Sequence, residues 1–143
     1  MSPRDPVIAA PAAGGIARAL LREVAQLLKK LAEEGEGGSI DLRSLPMSDA
    51  DRDEVRERLG RGEVRADLDV AGTSEVWETR YAGVWWIRHF GSGDRIAAEE
   101  IAVTGVPAIL VAHRADIVAA ASRIENDLET PPASGREEGI RNA

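Results

Sequence analysis

Glu75-Val76-Trp77-Glu78-Thr79-Arg80-Tyr81-Ala82-Gly83-Val84-Trp85-Trp86-Ile87-Arg88-His89-Phe90 carries every aromatic side chain of the 143-residue chain, all five between Trp77 and Phe90. At its centre Tyr81-Ala82-Gly83-Val84 has the form of a tight turn, with glycine where φ must be positive, so residues 75–90 read as a β-hairpin. A hairpin closed by a Tyr81–Val84 pair sets Trp77 opposite Arg88 and Arg80 opposite Trp85. Side chains alternate along a strand. Trp77, Thr79, Tyr81, Val84, Trp86, Arg88 and Phe90 then share one face, and Val76, Glu78, Arg80, Trp85, Ile87 and His89 share the other. Trp85 and Trp86, being adjacent, cannot enter the same core. One of them must meet a second covered surface, a partner or water. An arginine opposite an indole can stack on it, worth about 0.5–1 kcal/mol at an exposed site.

The stretches around the hairpin complete a sheet with helices. Glu63 to Val70 alternates charged and apolar residues, which predicts a half-buried strand with Val64, Ala66, Leu68 and Val70 facing the core. The loop Gly91-Ser92-Gly93-Asp94 leads to a fourth strand from Arg95 to Val103, and Gly105 and Pro107 end the sheet. Upstream, Ile16, Leu20, Val24, Leu27 and Leu31, with Leu21 and Leu28 beside them, have the spacing of an amphipathic helix ending near Gly35. Ile40 to Leu45 reads as a short extended or irregular link. Ser48 with Asp51 forms a capping box and Gly60 a stop, so Ser48–Leu59 reads as a short charged helix anchored by Val55 and Leu59. Ile109, Leu110, Ile117, Val118, Ala121 and Ile124 make the apolar stripe of a C-terminal helical region, with Asp116 placed to cap a fresh start. Residues 1–14 read as a flexible leader, 15–129 as one domain and 130–143 as a flexible tail. The expected fold is α+β: a four-stranded antiparallel meander packed with an N-terminal helix, the charged helix and the C-terminal helical region.

Composition narrows the function. Acidic residues outnumber basic ones, 25 to 18, for a net charge of −7, which argues against duplex nucleic acid and anionic membranes as partners. The chain has no cysteine, hence no disulfide, thiolate nucleophile or thiolate metal ligand. No apolar stretch is long enough to span a bilayer, Val7 to Ala13 lacks the apolar run of a signal peptide, and a cytoplasmic location is expected. Asp49-Ala50-Asp51-Arg52-Asp53 resembles the start of a calcium loop but has Glu54 where glycine is required and Gly60 where the closing glutamate belongs. His89 and His113 have no evident carboxylate partner, and Ser74, Ser92 and Ser122 lie in no nucleophile elbow. The residues therefore assign no catalytic group, metal or cofactor, and an enzyme is not expected.

Leu45-Pro46-Met47-Ser48 with Asp51, then Leu59-Gly60-Arg61-Gly62-Glu63-Val64, then Glu78-Thr79 before Gly83-Val84-Trp85-Trp86, and last Val103 to Pro107, resemble in order and spacing the C-terminal region of the HupH/HyaF hydrogenase expression proteins. The resemblance covers roughly residues 40–125, and members of that family are about twice as long. It implies an accessory role in [NiFe]-hydrogenase maturation, with a small-subunit precursor or another maturation protein as partner. The matching positions are Gly62, Glu63, Glu78, Thr79, Gly83, Val84, Trp85 and Pro107. Joined to the split tryptophan pair, it makes Glu78, Arg80, Trp85, Trp86, Ile87 and His89 the candidate protein-contact residues. Two alternatives stay open: a homodimer that buries one tryptophan face between copies, and a small-ligand protein without a hydrogenase client.

Overall fold

The structure, a computed structural model, describes residues 15–69 and 72–130; the expected leader and almost all of the expected tail lie outside them. It divides into two compact units, one ending at Pro107 and one beginning at Ala108.

The first unit is a helix, a strand, a helix and a four-strand meander. Helix α1 spans Gly15–Glu34, strand β1 Gly38–Asp41, helix α2 Asp49–Leu59, and strands β2 to β5 span Arg65–Asp69, Thr73–Glu78, Val84–Phe90 and Ile96–Val103. All five strands form one antiparallel sheet in the order β1-β5-β4-β3-β2. The α+β class and the meander are as expected, but the sheet has five strands. The supposed link begins as β1, whose Ile40 pairs with Ile101 and lies buried. Four residues are too few for alternation to show, and only the exposed backbone edge of β5 makes them a strand.

The helix boundaries follow local chemistry. Gly35 ends α1 at φ 77°, its N–H donating to the Leu31 carbonyl. At the start of α2, the Asp51 N–H donates to Ser48 Oγ and the Ser48 N–H to Asp51 Oδ2, each at 3.0 Å, completing the capping box. Ser48→Ala is expected to cost about 1 kcal/mol, read as a lower urea midpoint and faster amide exchange in the first turn of α2. The other carboxylates of the calcium-like run are engaged locally, Asp49 with Arg52 and Asp53 with Arg56.

The hairpin turn falls where expected, with Gly83 at φ 87° and the Val84 N–H on the Tyr81 carbonyl. The register differs by two residues: Trp77 pairs with Trp86, Glu78 with Trp85 and Ser74 with His89. Thr79 is the reason. Its N–H and its Oγ1 both donate to the Val84 carbonyl at 2.9 Å, and Oγ1 accepts the Tyr81 N–H at 3.1 Å. The Arg80 N–H meanwhile leaves the hairpin for the carbonyl of Leu59, at the end of α2. Arg80 and Tyr81 are thus diverted from the ladder, and neither Trp77–Arg88 nor Arg80–Trp85 is a cross-strand pair. The division into faces survives because a two-residue slip preserves parity.

One face carries the main core: Trp77, Trp86, Ile101 and Ile40 form a row across four strands beneath Ala17, Leu20 and Val24 of α1 and Val55 and Leu59 of α2. The opposite face is buried too, at Val76, Trp85, Ile87 and Ala102. Both tryptophans are therefore interior, and the open question about the adjacent pair resolves as two covered surfaces. Strand β2 is shorter than expected and forms a sheet edge. Its Ala66 and Leu68 are half-buried on the Val76 side, Val64 is exposed, and Val70 lies outside the described residues.

The second unit contains a single turn at Ala108–Leu110 and helix α3, Arg114–Glu129. The N-cap is His113, without a side-chain bond, and Asp116 lies inside the first turn instead of capping it. None of the residues of α3 is buried, and its Ile117, Val118, Ile124 and Leu128 are exposed.

Candidate protein-contact site

Two separated stretches of the sequence meet at the end of the hairpin. The Gly62 N–H donates to the Glu78 carbonyl at 2.7 Å and the Glu78 N–H to the Val64 carbonyl at 2.9 Å, so residues 62–64 extend the β2–β3 pairing toward α2. The approach demands glycine: a Cβ on Gly62 would stand 2.6 Å from the Thr79 carbonyl oxygen. A cleft of about 510 Å³ opens here, lined by Arg61, Glu63, Glu78, Thr79 and Arg80 among others. Glu78 is half-buried, while Glu63 and Arg80 are exposed. A pair of carboxylates beside two guanidinium groups can recognise polar and charged groups of a polypeptide.

Of the expected contact residues, the cleft gathers Glu78 and Arg80. Trp86 is wholly buried in the main core, and Trp85 and Ile87 are buried on the other face. Trp85 donates from Nε1 to the Thr104 carbonyl at 3.1 Å. His89 stands opposite Ser74, and its Nδ1 is 2.6 Å from Ser74 Oγ. A hydroxyl and an imidazole in contact need a third group to orient the ring before they become a nucleophile pair, and no carboxylate bonds to His89 among the described residues. Nor does any group of three metal-ligating side chains converge among them. Of the remaining motif positions, Gly83 supplies the turn, Val84 the core, and Pro107 is buried just beyond β5.

Behind the cleft lies an ionic row that the sequence did not announce. Trp77 and Trp86 stack with centroids 6.1 Å apart and planes 9° from parallel. Arg61 sits 4.0 Å above the Trp77 ring and Arg88 5.0 Å from it. Glu99, 2 % exposed, accepts the Trp86 Nε1–H at 2.8 Å and lies 3.5 Å from Arg88 Nε and 4.0 Å from Arg56 of α2. Arg88 continues to Glu75, and Glu75 to Arg65 at the sheet edge. Burial lowers the Arg88 pKa from the ordinary arginine range, against the opposing pull of Glu99. The signal that could have found Glu99 is parity: it shares a strand face with Ile101, and an indole N–H buried on that face needs an acceptor.

The model of the HupH hydrogenase expression protein C-terminal conserved region matches residues 16–130. The chain belongs to this family. The match is wider than the stretch from 40 to 125 that the motifs suggested, because it takes in α1. A solved structure titled hydrogenase expression protein HupH from Thiobacillus denitrificans ATCC 25259 superposes with a TM-score of 0.77 at 38% identity, covering 80% of this chain and 96% of that one. Hydrogenase expression/formation protein HoxQ of Azotobacter vinelandii is 34% identical over 86 residues, 60% of this chain and 30% of that protein. Hydrogenase expression/formation protein HupH of Rhizobium leguminosarum bv. viciae is 35% identical over 91 residues, 62% of this chain and 32% of that protein. The chain thus spans about a third of the length of these two relatives. No helix among the described residues is long and apolar enough to cross a membrane.

Proposed function

We propose that this HupH-family chain is an accessory protein of hydrogenase maturation that works by contact with a hydrogenase small-subunit precursor, through the cleft lined by Glu63, Glu78 and Arg80. One observation carries the reading: the motif residues Gly62, Glu63, Glu78 and Thr79, far apart in sequence, adjoin one another at a single surface opening. The names of the relatives, all hydrogenase expression or formation proteins, supply the client class. A contact role also suits a cleft with charged walls. Because Trp85, Trp86 and Ile87 are buried, the contact surface in this reading is the hairpin end and not the indoles.

The test is affinity recovery of the tagged protein from its host under hydrogenase-inducing conditions, comparing wild type with Glu63→Lys/Glu78→Gln. The expected outcome is a small-subunit precursor with the wild type and about a tenfold lower yield with the variant, the equivalent of about 1.4 kcal/mol of binding, while both give the same circular dichroism spectrum. Recovery of no hydrogenase component by wild type, together with full hydrogenase activity in a deletion strain, overturns the reading.

A further inference from the structure

A second surface lies on the other side of Arg80, between α1, the end of α2 and the hairpin turn. Leu21, Val24 and Leu28 of α1 form one wall, and Leu59, Tyr81 and Val84 form the other, around a groove of about 380 Å³. It runs into a shallower depression of about 270 Å³ along α1, toward Arg18 and Arg22. The apolar floor exists because the stripe on α1 is wider than the sheet beneath it. Ala17, Leu20 and Val24 are buried, whereas Leu21 and Leu28 remain half-exposed, and Tyr81 is 49 % exposed.

The rim is what identifies an occupant. Arg18, Arg22, Arg58 and Arg80 edge the groove, all four are exposed, and no acidic residue among the described residues lines either depression. In a chain with 25 acidic and 18 basic residues, the floor is edged by four guanidinium groups, of which Arg58 is ion-paired with Glu54 at 3.3 Å, so the rim is richer in positive charge than the chain as a whole. Two backbone features hold the Arg80 wall in place. Its Nη2 donates to the Arg58 carbonyl at 2.7 Å, and it crosses Gly60 at φ 67°, where a Cβ would stand 2.5 Å from Arg80 Nε. The walls are side chains of two helices and a turn. The free sheet edges belong to β1 and β2, neither of which contributes a lining residue. Strand addition is therefore not available here, and recognition must proceed through side chains, as when an amphipathic helix lies in a groove.

We infer that this groove binds an amphipathic helical segment of another protein, with an aliphatic stripe flanked by carboxylates that meet Arg18, Arg22, Arg58 and Arg80. This inference rests on the reading that the protein acts by contact with a polypeptide, and it adds a second surface and the chemistry of the segment that fits it.

The probe is a model peptide of about five helical turns, with leucines along one face and glutamates beside them, set against a twin carrying lysines in place of the glutamates. Each is titrated into the isotope-labelled full chain and followed by nuclear magnetic resonance. The glutamate peptide should shift the signals of Leu21, Ala25, Leu28 and Leu59, and bind roughly tenfold more tightly than its twin, as several exposed charge pairs together would give. Added salt should narrow that gap. Arg22→Glu/Arg58→Glu changes two exposed residues, should leave the spectrum of the free protein folded, and should abolish the preference. Equal binding of the two peptides, no binding of the glutamate peptide, or shifts elsewhere on the surface would overturn the inference. So would sedimentation showing self-association, with signal shifts on concentrating the protein that coincide with those of the peptide, since the groove would then belong to a second copy. Because no hydrogenase component is present, failure here leaves the proposed function standing, and failure to recover a precursor leaves this result intact.

Discussion

Glu99→Ala should lower the unfolding free energy by about 3–5 kcal/mol, the range for removing one partner from a buried ion pair. The Glu99 carboxylate is 2 % exposed, and a single oxygen, Oε2, faces Trp86 Nε1, Arg88 and Arg56. Alanine would leave the Arg88 guanidinium, whose side chain is only 17 % exposed, beside a void and next to the equally positive Arg56. The Trp86 indole N–H would lose its acceptor, and the ion pair from Arg56 of α2 to the sheet would go with it. Glu99→Gln keeps an oxygen that can accept from Trp86, so it should cost distinctly less, and the two variants together separate the hydrogen bond from the charge. Urea unfolding measures both, with the slope checked for constancy. A loss under 1 kcal/mol for the alanine variant would mean that Arg88 finds other solvation.

Trp86→Ala is expected to cost a similar amount, about 3–5 kcal/mol, by opening a large cavity in the main core. Trp86 is fully buried, stacks on Trp77, and lies across from Ile101 on the next strand. Trp86→Phe retains most of the apolar contact but surrenders the bond to Glu99, so the loss should be smaller. The effects of Trp86→Phe and Glu99→Ala should not add, because both break the same hydrogen bond. Additive losses in this double-mutant cycle would show that the bond contributes little. Trp85→Ala offers a control on the opposite face: it also vacates a buried site, yet it should leave the Glu99 cycle unchanged because its Nε1 bonds to Thr104 instead.

Much of the architecture could be read from local rules. The turn at Tyr81–Val84, the capping box of Ser48 and Asp51, the stops at Gly35 and Gly60, and the alternation that divides the hairpin into two faces depend on neighbours a few residues away. The motif positions were legible in the same way, and they led to the right family. The hairpin register was not, because the group that diverts Arg80 from the ladder is the Leu59 carbonyl, 21 residues earlier in the chain. Strand β1 was missed because an edge strand this short exists only against the bonding groups of β5.

For the sites the division is sharper. Residue order alone located the aromatic hairpin and the motif residues Gly62, Glu63, Glu78 and Thr79, since glycine in a tight turn and charge alternation on a strand are properties of short segments. It could not tell that both tryptophan faces are covered, that Glu99 is buried beneath three positive or N–H donors, or that four arginines from α1, α2 and the hairpin edge one apolar groove. Burial and electrostatic neighbourhood are sums over residues distant in the chain, and only the folded arrangement of helices on the sheet evaluates them.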